Sequence, residues 1–188
     1  NANYGWILNM VSKLSQNGVA GFILANGALS GGGEEYKIRK KLIENDLVEA
    51  ILVLPMKMFY TTDISVTLWI LNANKKERTF EQNGKTKIHR DRTNEILFMD
   101  LRKLGVAFEK KFIQFDTETI EKISSTYHTW QSNKEAYADI AEYCKSATLS
   151  EVIAKDYSLV PSKYIEFVNR DENIDFDTKM TTLQSEFV

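Results

Sequence analysis

Ile7, Met10, Val11 and Leu14 recur at helical spacing, and Asn17-Gly18 follows where a left-handed stop would sit. The run Val19 to Leu24 is apolar without alternation, the pattern of a strand buried on both faces of a parallel sheet. A loop with Gly27 and Gly31-Gly32-Gly33 comes next. Glu34 and Glu35 then open a helix at the end where its dipole favours negative charge. Ile38, Leu42 and Ile43 turn that helix inward, which leaves Lys37, Arg39, Lys40 and Lys41 to face water. Leu47 to Leu54 reads as a second strand, stopped by Pro55. Strand, helix and strand make a right-handed crossover between parallel strands. Ile64 to Leu71 returns after a loop too short for another crossover, so it runs antiparallel and the sheet is mixed.

Glu95 to Asp100 is one more short strand, after which the pattern becomes helical. Asp116 can cap a helix that carries Ile120, Ile123, Tyr127 and Trp130 on one stripe, and Lys134 to about Tyr143 continues in helical sequence. From Asp171 onward the chain is polar and acidic, a tail with little core of its own. The pattern divides the chain into an α/β part over 1–104, a helical region over 105–170 and a polar tail over 171–188.

A chain of 188 residues, 43% of them hydrophobic, can bury one core and a helical appendage. No apolar run approaches the roughly 18 residues of a membrane span. The single cysteine, Cys144, has no disulfide partner, and neither His89 nor His128 neighbours it, so no metal site is expected. With no signal-peptide pattern at the start, the expected setting is cytoplasmic.

The net charge of -2 is unfavourable for a nucleic-acid binder, but its distribution is uneven. Lys75, Lys76, Arg78, Lys85, Lys87, Arg90 and Arg92 outnumber Glu77, Glu81 and Asp91 within one segment around Asn83-Gly84. Those seven cations are candidates for DNA-backbone contact, against the plainer reading of a solvated charged loop. Gly31-Gly32-Gly33 could cradle an anion or serve only as a hinge. Residue chemistry alone stops at a domain with a mixed sheet.

Longer words in the sequence go further. Leu24-Ala25-Asn26-Gly27-Ala28-Leu29, Ile38-Arg39-Lys40-Lys41-Leu42, and Leu54-Pro55 with Phe59-Tyr60-Thr61-Thr62-Asp63-Ile64 resemble the modification subunit of type I restriction-modification systems, an adenine-N6 DNA methyltransferase. Tyr127-His128-Thr129-Trp130, Cys144-Lys145-Ser146-Ala147 and Asp156-Tyr157-Ser158-Leu159-Val160-Pro161-Ser162-Lys163-Tyr164 resemble its later segments in the same order, and the likeness runs from about Asn3 to Val168.

The resemblance implies the C-terminal half of a Rossmann-like S-adenosylmethionine-dependent methyltransferase sheet, mixed and with its last strand antiparallel, plus a C-terminal helical region. It places the cofactor-binding strand end and the Asn-Pro-Pro-Phe or Tyr motif upstream of Asn3. The fragment alone is therefore expected to be inactive and to bind no S-adenosylmethionine, which the intact parent would use. Phe59, or else Tyr60, would stack on a flipped target adenine, although an aromatic plugging the sheet end explains that pair equally well.

The implied partners are DNA, the specificity subunit and the restriction subunit. Docking of the helical region on the specificity subunit gains support from Tyr127, Trp130, Tyr137, Tyr143, Tyr157 and Tyr164, more aromatics than a small appendage needs if they are exposed. The Val19 to Leu24 strand would show a bare edge, to be hidden by a dimer of the fragment or by its own helical region, the dimer being the favoured outcome. The competing function is a non-catalytic scaffold module built on a partial methyltransferase fold.

Overall fold

The structure is a computed structural model that describes residues 2–168 and 176–186. Its first half contains α1 (Ala2–Lys13), β1 (Val19–Ala25), α2 (Gly33–Glu44), β2 (Val48–Val53), β3 (Val66–Asn72), β4 (Arg78–Gln82) and β5 (Lys85–His89). Then follow β6 (Glu95–Asp100), β7 (Val106–Phe108), β8 (Phe112–Gln114), α3 (Thr117–Ser132), β9 (Cys144–Thr148), α4 (Leu149–Ala154) and α5 (Phe176–Glu186). The main sheet has the order β1-β3-β2-β6-β9. β2 and β6 are parallel, β3 lies antiparallel between β1 and β2, and β9 is antiparallel to β6. The mixed sheet and the antiparallel Ile64 to Leu71 strand, here Val66–Asn72, follow the sequence pattern.

β2 is buried along its whole length because each of its faces meets a different layer. Ile51, with Trp69, Leu71 and Phe98 beside it, packs against Tyr4 and Ile7 of α1, Leu42 and Ile43 of α2, and the segment that carries Tyr157, Leu159 and Tyr164. The rings of Phe98 and Tyr164 stack with centroids 4.1 Å apart. Ala50 and Leu52, with Leu97 and Met99, point the other way onto Trp130 of α3, Tyr143 and Cys144. The period-two alternation of a strand thus builds two cores from one run of apolar residues. Asp116 caps α3 by accepting from the Thr119 amide at 2.8 Å.

Several expectations need correction. Arg39 is buried, not wet: its Nε donates to the Tyr157 carbonyl at 2.8 Å and its Nη1 to the Gly31 carbonyl at 2.7 Å. Internal carbonyls replace the water its charge would otherwise require. The α1 helix ends at Lys13, and Gly18 is not among the positive-φ residues, so Asn17-Gly18 is a turn and no helix cap. Lys134 to Tyr143 is not helical. Asn133 Oδ1 accepts from the Glu135 and Ala136 amides, a local bonding pattern that competes with helix. Cys144-Lys145-Ser146-Ala147 is a strand of the main sheet, so the part read as helical also holds β7, β8 and β9. Trp130, Tyr143, Tyr157 and Tyr164 are buried and Tyr127 and Tyr137 half-buried; these rings are core and do not form an exposed docking surface. The polar stretch beyond Asp171 carries α5, whose start at Phe176 follows residues outside the described ones.

The β7–β8 hairpin enters through Gly105 at φ +98°, and a Cβ there would lie 2.8 Å from the Gln114 carbonyl oxygen. Gly105→Ala should therefore cost about 1–3 kcal/mol, through a left-handed backbone and displacement of the hairpin. Urea unfolding checks this, and a variant as stable as the wild type would contradict it.

Candidate functional site

The carboxyl ends of the parallel strands β2 and β6 share one edge of the molecule, where open α/β sheets bind ligands. The loop that leaves β2 there, Pro55 to Ser65, is tied at its base by Leu54 N to Val66 O at 2.8 Å and Ser65 Oγ to Leu54 O at 2.6 Å. Higher up, the Lys57 amide donates to Asp63 O and the Thr62 amide to Phe59 O, both at 3.3 Å. The closed loop lifts its tip away from the sheet. Phe59 is half-buried against the core under α3, whereas Tyr60 is 72% exposed.

The β7–β8 hairpin stands beside this tip. Ile113 N donates to Lys57 O at 3.0 Å, and the rings of Tyr60 and Phe112 meet edge to face at 4.7 Å. Between loop and hairpin lies a hollow of about 160 Å³ lined by Met58, Tyr60, Phe108, Phe112, Ile113 and Gln114. Sequence reasoning missed Phe108, Phe112 and Gln114. The signal was slight, two aromatics spaced around Glu109-Lys110-Lys111 in a segment read as helical.

The basic segment is a hairpin, β4 with β5, whose turn places Asn83 at φ 52° and Gly84 at φ 70°, as a two-residue hairpin requires. It follows the end of β3, and the Asn72 amide there donates to Leu47 O just before β2 begins. The hairpin thus lies at the amino end of β2, roughly 20 Å from the Pro55 to Ser65 loop at about 3.3 Å per strand residue.

Lys75 is buried, paired with Asp46 at 2.5 Å and donating to Val48 O and Glu95 O, and this burial lowers its pKa. Arg90 pairs with Glu95 at 2.6 Å and donates from Nε to Trp130 O at 2.7 Å. Arg92 is fully buried on Glu49, with Nε to Oε1 at 3.2 Å. Both guanidinium groups lie over the Trp130 ring, at 5.4 and 5.7 Å. Arg90 and Arg92 serve the C-terminal end of α3, where free carbonyls and the helix dipole favour cations. Lys75 and Arg92 are thereby removed as DNA contacts, since neither side chain reaches the surface. Lys76, Lys85 and Lys87 are exposed, and Arg78, half-buried, lies over the Phe80 ring. Burial, together with the Arg92 and Arg78 cations, pushes His89 down to about 4.

Glu49 was also missed, though a carboxylate inside an apolar strand was a visible signal. It is fully buried and accepts from Arg92, from Gln131 Nε2 at 3.0 Å and from the Asn72 amide group.

The glycine-rich loop, which the sequence offered for an anion, already has a carboxylate at the first glycine of its triplet. The Glu35 carboxylate covers Gly31, and Arg39 Nη1 is already spent on the Gly31 carbonyl. Among the described residues no helix is long and apolar enough to cross a membrane.

This mixed sheet, covered on both faces, has the fold found in S-adenosylmethionine-dependent methyltransferase subunits of type I systems. The chain belongs to the N-6 DNA methylase family, whose model matches residues 1–173. It is 37% identical over 185 residues to the type I restriction enzyme HindI methylase subunit of Haemophilus influenzae, covering 97% of this chain and 38% of that protein. It is 34% identical over 187 residues to the type I restriction enzyme MjaIX methylase subunit of Methanocaldococcus jannaschii, covering 99% and 31%. The type I restriction-modification methyltransferase subunit from Streptococcus thermophilus superposes with a TM-score of 0.72 at 26% identity, over 88% of this chain and 31% of that one. The chain spans between 31% and 38% of the length of these relatives.

Proposed function

We propose that this chain is the part of a type I modification subunit that builds one wall of the target-base pocket, in an enzyme that methylates N6 of adenine in DNA. The observation that carries this reading is the closed Pro55 to Ser65 loop, which holds Tyr60 72% exposed at the carboxyl edge of a sheet belonging to this family. Tyr60 is the ring available to stack on an unstacked adenine, while Phe59, half-buried, supports the loop from below. S-adenosylmethionine, the methyl donor of the intact enzyme, would be held by residues other than those described. The specificity and restriction subunits are its protein partners. Lys76, Lys85 and Lys87, the exposed members of the basic segment, would meet DNA phosphates.

In the intact methylase, Tyr60→Ala should lower kcat/KM for DNA methylation roughly 5- to 150-fold, the equivalent of about 1–3 kcal/mol of base stacking, and leave S-adenosylmethionine affinity unchanged. Methyl incorporation and cofactor calorimetry on the same preparation test this. Normal methylation by a folded Tyr60→Ala enzyme would remove the ring from the pocket.

A further inference from the structure

We propose that the hollow between the Pro55 to Ser65 loop and the β7–β8 hairpin receives an unpaired nucleobase, with Phe112 as its second aromatic wall and Gln114 reading the base edge. This rests on the DNA-methylase reading above and adds to it a ring and a polar reader from a different element. The two walls are fixed relative to each other by the Ile113 to Lys57 hydrogen bond and by the Tyr60–Phe112 contact. The hollow, about 160 Å³ and open on one side, is of a size that suits one planar base.

The lining decides the ligand class. Tyr60, Phe108 and Phe112 offer faces and edges to a flat π-system, and Met58 adds a polarisable contact. An aliphatic chain would gain nothing from three rings that it could not gain from leucines. Gln114 is exposed at the rim, and its side-chain amide has no hydrogen-bond partner among the described residues. That amide carries a donor and an acceptor side by side, the pair that matches adenine's N7 and amino group.

Charge around the rim has the sign a nucleotide needs. Lys57, Lys110 and Lys111 are exposed, and Lys111 Nζ lies 5.1 Å from the centre of the Phe112 ring. The turn that carries two of these lysines holds Glu109 at φ 46° and Lys110 at φ 63°, a conformation costly for residues other than glycine. Phosphate contacts from these lysines would be sequence-independent and would weaken as salt rises.

The test is fluorescence titration of the full 188-residue chain with a single-stranded oligonucleotide containing 2-aminopurine, beside the same base in a perfect duplex. Stacking in the hollow should quench the single strand further on titration, whereas the paired base, already stacked and dim in the duplex, should not change. Phe112→Leu should weaken the quenching interaction at least tenfold, Phe112→Tyr should retain it, and Gln114→Ala should abolish the advantage of an unlabelled adenine oligonucleotide over a thymine one as competitor, without disturbing the melting temperature. Quenching lost in Tyr60→Ala but kept in Phe112→Leu would overturn the second wall and leave the stacking ring in place, and an adenine preference unchanged in Gln114→Ala would overturn the reader. A wild-type chain that quenches neither probe would overturn the hollow as a base site, while the methylase reading is decided separately by Tyr60→Ala in the intact enzyme.

Discussion

Arg92→Met should destabilise the chain by about 3–5 kcal/mol, the range for removing one partner of a buried ion pair. Glu49 and Arg92 are both fully buried, and Arg92 Nε is the charged donor to Glu49 Oε1. Gln131 and Asn72 also donate to Glu49, but as neutral amides they cannot balance its charge. The same substitution removes a donor from the Arg90 and Gln131 carbonyls and a cation from the Trp130 ring. One side chain therefore holds the end of α3, the start of β6 and the middle layer together. Converting both partners, Glu49→Leu with Arg92→Met, should recover a large part of the loss, because neither charge is then left without its counterion. Urea unfolding of both single variants and the double variant measures this. A loss below about 1 kcal/mol in Arg92→Met would show that the pair is not what anchors α3.

That example shows where the sequence was legible and where it was not. Apolar runs found β1, β2 and β3 and helical spacing found α2, but β1, expected to be buried on both faces, leaves Val19 and Ile23 exposed on one because it lies at the sheet edge. Helical spacing could not separate Arg39 from Lys40 and Lys41, since burial of a cation is decided by carbonyls far along the chain at Gly31 and Tyr157. Lys75 and Arg92 misled in the same way. Their charge is balanced by Asp46 and Glu49, which lie near them only once β2, β3 and β6 have paired. The tyrosines of the last third looked surplus for an appendage because it was not evident that Leu149 to Ile165 returns to cover the main sheet. Of the site, the loop and its aromatic pair were visible. Phe112 and Gln114 were hidden in a three-residue strand, too short to show an alternation.

The purified chain should associate through β1. Its outer edge pairs with no strand among the described residues, and Val19–Ala25 contains neither proline nor charge to discourage a partner. Val19 is 53% exposed and Ile23 46% exposed, on the face that continues through Leu68 and Ile70 into an apolar groove of about 280 Å³ between the sheet and α3. A strand pair by itself is a small contact, and stable interfaces bury about 1,000 Å² or more. The groove beside the edge, lined also by Leu52, Leu54, Phe115 and Ile120, provides the additional apolar area. Two copies related by a two-fold axis would place β1 against β1 in one continuous sheet and cover both bare faces at once. Light scattering at micromolar concentrations should give twice the mass of one chain, and Ile23→Lys should return it to one. The substituted side chain lies outside both cores, so the melting temperature of a monomeric Ile23→Lys variant should stay close to that of the wild type at low concentration. A wild-type chain that stays monomeric throughout that range, or a dimer indifferent to a charge at Ile23, would place the association elsewhere or remove it.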